Sequence, residues 1–303
     1  MNKKIIITGG NGFIGSHLVK EIIQNKSQPI LLLRKKSDLR RLKDVKGFKS
    51  FVVSSYLDNE LIMKLKNLNA SSFIHCAWSG VLAKDRNNAI QRDNLKLTVE
   101  SVKLANKVGC RRWTGLGSHA EYGNPNRKTN ELDETKPTTL YGKLKLKSCR
   151  QSLSLCKQLG MRGSWIRIYD TYGPNDNESW LIPYVITTLL KNKKPKLTSG
   201  EQFWDFLHIK DAVKAIIKIN DSDNTGIYNL GSDEPKKLKD IVSIICKEMN
   251  SKIKPTFGKL PYRNDQIMKL HPDITKIKKD IGWHPNINFR SGIKNLINYY
   301  NEN

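Results

Sequence analysis

Hydrophobic residues along the first half of the chain fall alternately into short continuous runs and into longer stretches with helical spacing. The continuous runs predict strands at residues 4–8, 29–33, 51–53, 72–77, 112–116 and 164–168. The helical spacing predicts helices at residues 13–24, 89–108 and 140–159. Strands that alternate with helices in this way indicate an α/β fold built on a doubly wound parallel sheet.

The pattern changes after Tyr172, where turn-forming residues cluster at 173–179, 193–200 and 231–235. We therefore expect residues 1–170 to form the domain around the parallel sheet. The remainder, residues 171–200 and 231–303, is expected to form a smaller C-terminal α/β substrate-binding region. Two further strand-like runs, at 203–209 and 226–230, are expected to return to the main sheet, so that residues 201–230 would belong to the first domain.

A glycine-rich segment, TGGNGFIGSHL, joins the first predicted strand to the first predicted helix. Gly9, Gly12 and Gly15 have the spacing of a dinucleotide-binding fingerprint in that context. Gly9 permits a tight turn, Gly12 lets the backbone approach a pyrophosphate, and Gly15 lets the helix pack closely on the strand. The free N–H groups at the helix start, including those of Phe13 and Ile14, would bind the phosphates. The segment predicts a Rossmann domain.

The choice of nicotinamide cofactor depends on the end of the second predicted strand. NAD-binding domains usually carry an acidic residue there, which binds the ribose hydroxyls. This chain reads LLLRKKS and places Arg34, Lys35 and Ser37 in that region. A guanidinium recognises a 2′-phosphate by paired hydrogen bonds, so the segment favours NADP(H), with NAD as the alternative if Arg34 is only one more surface base.

Tyr141 and Lys145 lie four residues apart in the predicted helix at 140–159, and therefore on one face. A free tyrosine, with a pKa of about 10, is a poor acid–base group at neutral pH. A neighbouring ammonium favours the phenolate, so Tyr141 could exchange a proton with a carbonyl or alcohol oxygen while hydride moves to or from a nicotinamide. Ser118, just after the fifth strand, could hydrogen-bond the same oxygen or simply cap a turn.

Composition changes this picture little. The formal net charge is +25, from 53 basic and 28 acidic residues, but the basic residues are spread along the chain. Such diffuse charge suits an anionic nucleotide ligand better than nucleic-acid binding. Five scattered cysteines lack metal-ligand spacing, which predicts no metal site, no disulfide framework and a reducing, cytoplasmic location. No apolar run of about 18 residues predicts a membrane span.

The segments TGGNGFIG, GSHAEYG, YGKLK, YDTYGP, WDFLHIKDAVKAI, YNLGS and DIGWHP together resemble the extended short-chain dehydrogenase/reductase family, in order and in spacing. The resemblance covers nearly the whole chain. It implies that Tyr141 is the acid–base group, that Lys145 binds the nicotinamide ribose and tunes Tyr141, and that Ser118 assists. It also implies that Asn94 orders the cofactor side and that Arg263 approaches a nucleotide diphosphate.

Three positions depart from the family pattern. Asp170 stands where UDP-glucose 4-epimerases usually carry Asn, and Trp204 where they usually carry Arg. Ser55 stands where an acidic residue often touches the adenine. We expect Ser55 to lie at the cofactor and Asp170 to contact substrate; Trp204 could stack on a base or sugar, or equally fill the core. His119 and Glu121 are assigned at most to shaping the substrate site. His75, on a predicted strand, is expected to be a satisfied core residue.

Within the family, GSHAEYG and LTSGEQFWDFLHIKD are similar to enzymes that act on nucleotide-linked 4-keto-6-deoxysugars, such as CDP-abequose and CDP-paratose synthases. The resemblance implies NADPH-dependent reduction of a keto group, at C4, in deoxysugar biosynthesis for lipopolysaccharide or capsule. The alternative is an NAD-dependent nucleotide-sugar 4-epimerase. A 4,6-dehydratase is disfavoured because His119 and Ala120 replace its acidic pair. We further expect a homodimer that binds neither nucleic acid nor membrane.

Overall fold

Short strands and longer helices alternate through residues 3–263 and 266–302, the part of the chain that the computed structural model describes. In chain order the strands are β1 (Lys4–Thr8), β2 (Gln28–Leu33), β3 (Lys49–Val52), β4 (Ser72–His75), β5 (Arg112–Ser118), β6 (Lys128–Thr129), β7 (Arg162–Ile168), β8 (Asp170–Tyr172), β9 (Phe203–Trp204), β10 (Phe206–His208), β11 (Gly226–Leu230), β12 (Lys236–Lys237) and β13 (Lys269–Pro272). The α-helices are α1 (Phe13–Gln24), α2 (Asn59–Lys66), α3 (Ile90–Lys107), α4 (Leu140–Gln158), α5 (Leu181–Leu190), α6 (Ile209–Asp221), α7 (Leu238–Glu248), α8 (Thr275–Ile281) and α9 (Phe289–Glu302).

The central sheet of the described residues has the strand order β3-β2-β1-β4-β5-β7-β11, and every neighbouring pair is parallel. The predicted doubly wound Rossmann sheet is confirmed. The strand order reverses between β1 and β4, and a crevice forms at the carboxyl ends of the strands at such a switch point. The glycine-rich segment follows β1 directly at this edge, and β5 ends there at Ser118.

Helices cover both faces of this sheet, which explains why its strands are continuously apolar rather than alternating. In β1, Ile5 and Ile7 belong to the core cluster that includes residues of α1 and α6. Ile6, between them, belongs to the opposite cluster, which includes residues of α2, α3 and α4. All three isoleucines are almost fully buried.

The two runs expected to return to the central sheet behave differently. Strand β11 pairs with β7 at the sheet edge. The run at 203–209 does not join that sheet: it divides at Asp205 into β9, which pairs with β13, and β10, which pairs with β8. The buried Asp205 carboxylate accepts hydrogen bonds from Ser232 N and Oγ, both at 2.7 Å, and from Glu234 N at 3.1 Å. These bonds tie the junction to the segment after β11, and the expected return of residues 203–209 to the main sheet is corrected.

The two halves of the divided run take part in separate small sheets. Strand β10 pairs with β8, and β9 lies in a second sheet of order β12-β9-β13-β6. Behind them, α5, α7 and α9 pack around a common apolar cluster. The pairing of β10 with β8 fixes Asp170, the first residue of β8, opposite Phe206. None of the helices that the structure describes is long and apolar enough to cross a membrane.

Candidate active site

The turn after β1 has the geometry of a phosphate-binding loop. Gly9 adopts a left-handed conformation with φ of +67°, and Gly12 N donates a hydrogen bond of 3.0 Å to Gly9 O. A Cβ on Gly15 would lie 2.1 Å from Gly9 O, so only glycine fits there. Helix α1 begins at Phe13, and no side chain within the described residues caps its start. The N–H groups of Phe13 and Ile14 are thus available to an anion.

Arg34 lies at the end of β2 with its side chain exposed. Its main-chain N–H donates to Ser37 Oγ at 3.0 Å, and its Nη1 approaches Ser79 Oγ at 3.4 Å. The first carboxylate after β2 belongs to Asp38, and it is paired with Arg40 at 2.7 Å. The position that usually binds ribose hydroxyls by a carboxylate therefore offers a guanidinium and serine hydroxyls.

Two other residues of the predicted cofactor site lie on exposed turns. Lys35 follows Arg34 and is exposed, and Ser55 follows β3 and is exposed as well. The Ser55 hydroxyl accepts a hydrogen bond of 3.2 Å from Leu57 N. The cofactor contacts of Lys35 and Ser55 stay predictions.

Tyr141 and Ser118 meet because α4 abuts the turn that follows β5. A Cβ on Gly142 would lie 2.4 Å from Ala120 O, so glycine at this position lets the helix start approach the turn. Thr139 caps the helix by accepting from Gly142 N at 3.1 Å. Tyr141 is buried, and the Ser118 side chain lies beside its hydroxyl. Burial raises the pKa of Tyr141, and the neighbouring Ser118 side chain opposes that shift.

Lys145 lies one turn further along α4 on the same side as Tyr141. Its Nζ is 5.9 Å from the centroid of the Tyr141 ring and donates a hydrogen bond of 2.6 Å to Leu116 O. The same Nζ lies 3.7 Å from the centroid of the Trp78 ring. Burial lowers the pKa of Lys145 to about 7, although the Glu121 carboxylate acts in the opposite direction. A modest rise in pH above neutrality would therefore remove the charge of Lys145.

Glu121 was expected at most to shape the substrate site, but its carboxylate is bound within the protein. Its carboxylate is fully buried and accepts from Ser118 N at 3.0 Å, from Trp165 Nε1 at 2.8 Å and from Arg167 Nε at 2.9 Å. These bonds fix the backbone of Ser118 and pair a buried anion with a buried cation. Glu121 is thus a positioning residue for Ser118.

The segment between β4 and α3 forms the next wall of the site, and its shape is set by two buried amides of α3. Asn94 accepts from Ser79 N and donates to Ser79 O, both at 2.9 Å. Gln91 accepts from Trp78 Nε1 at 2.8 Å and donates to Gly80 O at 2.7 Å. The bonds made by Asn94 agree with the ordering role that the family resemblance implies. Trp78 was missed, although a tryptophan just after a parallel strand was a signal that could have found it.

His119 and Asp170 lie near Tyr141, together with a residue that the sequence did not single out. The Cζ of Arg86 is 5.7 Å from the centroid of the Tyr141 ring, and its charge lowers the pKa values of both His119 and Asp170. Burial is the larger influence, and it lowers the pKa of His119 to about 3 and raises that of Asp170 to about 7. His119 is therefore neutral at neutral pH.

Trp204 and Arg263, the other predicted substrate residues, lie in the C-terminal region. The indole of Trp204 donates to Ile267 O at 2.8 Å and packs against the cluster that contains Tyr169. It also lines a cavity of about 130 Å³. Arg263 is exposed and follows Tyr262, whose hydroxyl anchors the segment to residues 199–201. Trp204 is thus held by contacts within the protein, and substrate contacts of both residues stay predictions.

His75 is satisfied within the core, as expected from its position on a strand. Its two ring nitrogens lie 2.8 Å from Thr8 Oγ1 and 3.1 Å from Thr98 Oγ1. Burial lowers its pKa to about 3, so it stays neutral. The five cysteines are free thiols. Within residues 3–263 and 266–302, no group of three or more His, Cys, Asp or Glu side chains could hold a metal ion.

The sequence profile of the NAD dependent epimerase/dehydratase family matches residues 5–231. The chain belongs to this family. It is an enzyme of the NAD-dependent epimerase/dehydratase type, and its identification as an extended short-chain dehydrogenase/reductase is confirmed.

Three distant relatives match over nearly their whole length. The chain is 26% identical to a UDP-N-acetyl-alpha-D-glucosaminuronate decarboxylase of Bacillus cytotoxicus, covering 100% of this chain and 99% of the relative. It is 24% identical to a CDP-abequose synthase of Salmonella muenchen, covering 98% of each. The solved structure of a UDP-N-acetylglucosamine 4-epimerase from Methanobrevibacter ruminantium has a TM-score of 0.90 at 21% identity, covering 99% of each chain. The three proteins differ in their named activities.

Proposed function

We propose that this enzyme reduces the C4 keto group of a nucleotide-activated 4-keto-6-deoxysugar with NADPH. The observation that carries the proposal is the placement of Tyr141 beside Ser118 at the carboxyl edge of β5, with Lys145 one helical turn away and its Nζ 5.9 Å from the Tyr141 ring centroid. This arrangement serves proton transfer to a carbonyl oxygen. The named relatives act on nucleotide-linked sugars or make one, which supports that substrate class.

The residues around the glycine-rich turn fit a nicotinamide dinucleotide. The start of α1 lacks a side-chain cap among the described residues, and a Cβ on Gly12 would meet only Gly9 O, at 3.3 Å. A pyrophosphate could therefore approach the backbone closely. Arg34, with Ser37 and Ser79 beside it, supports the 2′-phosphate of NADP(H) rather than the bare ribose of NAD.

Catalysis then follows from the three side chains. NADPH, held by the glycine-rich turn and Arg34, would supply the hydride for the carbonyl carbon, which leaves the electron pair of the C=O bond on oxygen. Tyr141 donates its phenolic proton to that oxygen, and Ser118 holds the oxygen by a hydrogen bond. The Lys145 ammonium stabilises the phenolate that Tyr141 becomes. Tyr141 recovers its proton from solvent after the alcohol leaves.

The test is the rate of NADPH oxidation, followed by absorbance, with 4-keto-6-deoxysugars linked to CDP, dTDP, GDP and UDP. We expect rapid, stoichiometric oxidation with one nucleotide series, and a lower rate with NADH. The proposal is wrong if NADPH is consumed with none of them.

A nucleotide-sugar 4-epimerase is the second candidate, because the same tyrosine, serine and lysine can also take a proton from a C4 hydroxyl. Such an enzyme oxidises the sugar and reduces it again with one tightly held NAD. NAD retained through purification, together with interconversion of UDP-hexoses without added cofactor, would favour the epimerase.

A further inference from the structure

Three buried polar atoms around Tyr141 have no hydrogen-bond partner among the described residues. They are Arg86 Nε, His119 Nδ1 and Asp170 Oδ2. Folded proteins leave few buried donors and acceptors unpaired, because each loses its bond to water without replacement. Three contacts bring these groups to one end of the sheet: Arg86 Cζ lies 5.7 Å from the Tyr141 ring centroid, the His119 ring lies 5.8 Å from that of Tyr169, the residue before Asp170, and Ser118 pairs with Ile168 in the central sheet.

The main chain holds Arg86 at this point. Arg86 O accepts a hydrogen bond of 2.8 Å from Tyr141 N, and Asn87 Oδ1 accepts one of 2.9 Å from Leu140 N. Both bonds use N–H groups at the start of α4, which have no partner inside the helix. The first two residues of α4, Leu140 and the acid–base tyrosine, are thus joined to the segment that carries Arg86, whose guanidinium lies beside the Tyr141 ring.

The chemistry of these groups restricts what they bind. Arg86 only donates hydrogen bonds, whereas an ionised Asp170 only accepts them. A sugar hydroxyl does both, and so could satisfy the two side chains. A methyl group would satisfy neither, and a carboxylate would satisfy Arg86 but repel Asp170.

We propose that Arg86 and Asp170 are specificity-determining residues that bind the sugar hydroxyl next to the reacting carbonyl. Arg86 donates to this hydroxyl and Asp170 accepts from it. The inference rests on the proposed function, which identifies the carbon that carries this hydroxyl. In a 4-keto-6-deoxysugar, the hydroxyl next to the C4 carbonyl is the one on C3. The enzyme then prefers a sugar that keeps its C3 hydroxyl over a 3-deoxy sugar.

Equilibrium binding tests this without turnover. CDP, dTDP, GDP and UDP are first compared, and the nucleoside diphosphate that binds best is chosen. The protein is then titrated with this nucleoside diphosphate alone and with its glucose, 3-deoxyglucose and glucuronate derivatives. In the wild type, we expect loss of the C3 hydroxyl to weaken binding by about 10- to 100-fold, because charged partners are left unpaired. In Arg86→Met that penalty should fall below about threefold, while affinity for the nucleoside diphosphate stays unchanged.

Two further variants make the result specific. Lys84→Met removes a charge from an exposed residue of the same segment and should keep the full penalty. Asp170→Asn preserves side-chain size, removes the charged acceptor and should reduce the penalty. This variant also keeps the proposal testable if Arg86→Met does not fold.

Equal wild-type affinity for the glucose and 3-deoxyglucose derivatives would overturn the proposal, as would a penalty that persists in Arg86→Met and Asp170→Asn. Glucuronate binding that is tighter than glucose binding and depends on Arg86 would assign a carboxylate instead. Because these are binding measurements, the two proposals can fail separately. If the protein reduces no keto sugar but still binds the 3-deoxyglucose derivative more weakly, only the reductase proposal is wrong.

Discussion

The two sides of Tyr141 differ in how their polar groups are satisfied. On the side towards the sheet, the Glu121 carboxylate accepts three short hydrogen bonds, from Ser118, Trp165 and Arg167, and of this network only Arg167 Nη1 is left without a partner among the described residues. On the opposite side, Arg86, His119 and Asp170 each keep a buried atom without a partner among the described residues.

This difference separates groups that position the catalytic residues from groups that await a ligand. A satisfied buried network fixes the geometry of the side chains it contacts. Unpaired buried groups reduce stability and are kept where a ligand completes them. We therefore expect changes on the sheet side to affect folding, and changes on the opposite side to affect recognition of the sugar.

The largest effect is expected at the centre, from Tyr141→Phe. Removal of the hydroxyl removes the proton donor, so kcat should fall by about 1,000-fold or more, while the Kd for NADPH changes little. Steady-state rates and NADPH fluorescence titration measure the two quantities. Tyr184→Phe is the matched control, since the Tyr184 hydroxyl accepts from Lys196 N in the C-terminal region. Retained turnover in Tyr141→Phe would contradict the assigned role.

On the sheet side, Glu121→Gln should lower the free energy of unfolding by about 3–5 kcal/mol, because it leaves the buried Arg167 guanidinium without a counter-charge. Urea denaturation measures the change. Glu134→Gln is the control: Glu134 pairs with Lys136 in an ion pair in which both side chains are more than 70% exposed, and its loss should be within about 0.5 kcal/mol. A change below about 1 kcal/mol in Glu121→Gln would contradict the proposed positioning network.

A smaller effect is expected at the cofactor. Arg34→Ala should lower kcat/KM for NADPH by about 10- to 100-fold, since a charge-assisted pair with the 2′-phosphate is lost, and should leave kcat/KM for NADH nearly unchanged. Lys36→Ala, in the same exposed turn, should alter neither value appreciably. An equal loss with both cofactors would mean that Arg34 does not read the 2′-phosphate.

The smallest effect is the pH dependence. Lys145 has its pKa lowered to about 7 by burial, and its charged form, present below that pH, is the one that stabilises the phenolate. The Tyr141 hydroxyl stays protonated in this range because burial raises its pKa. Thus kcat/KM for reduction should fall about fivefold between about pH 7 and about pH 8. A flat profile would show that Lys145 keeps its charge in the free enzyme.

The sequence predicted the sheet and the glycine-rich turn after β1 well because their signals are local. Helix α1 has the predicted bounds, and the glycines that precede it lie within one strand–turn–helix unit. Tyr141 and Lys145 were found because four residues along a helix bring two side chains to one face. The cytoplasmic location, the homodimer and the residue bounds of the two domains stay predictions.

The sugar side could not be predicted in the same way, because distant segments build it. Asn87 and Leu140, which fix the segment of Arg86, are 53 residues apart in the chain. The short strands β9 and β13 pair across more than 60 residues, and each is too short to leave a clear pattern. Contacts of this kind depend on the folded arrangement and leave no periodic signal in the sequence.

The reductase proposal is tested most directly by tracing the hydride. The wild-type enzyme is incubated with NADPH carrying two deuterium atoms at C4 of the nicotinamide and with the preferred 4-keto-6-deoxysugar nucleotide, and the product is analysed by mass spectrometry and NMR. We expect one deuterium on the carbon that was the ketone and one NADP⁺ formed per product. A product that forms without deuterium, or without consumption of NADPH, would contradict the account.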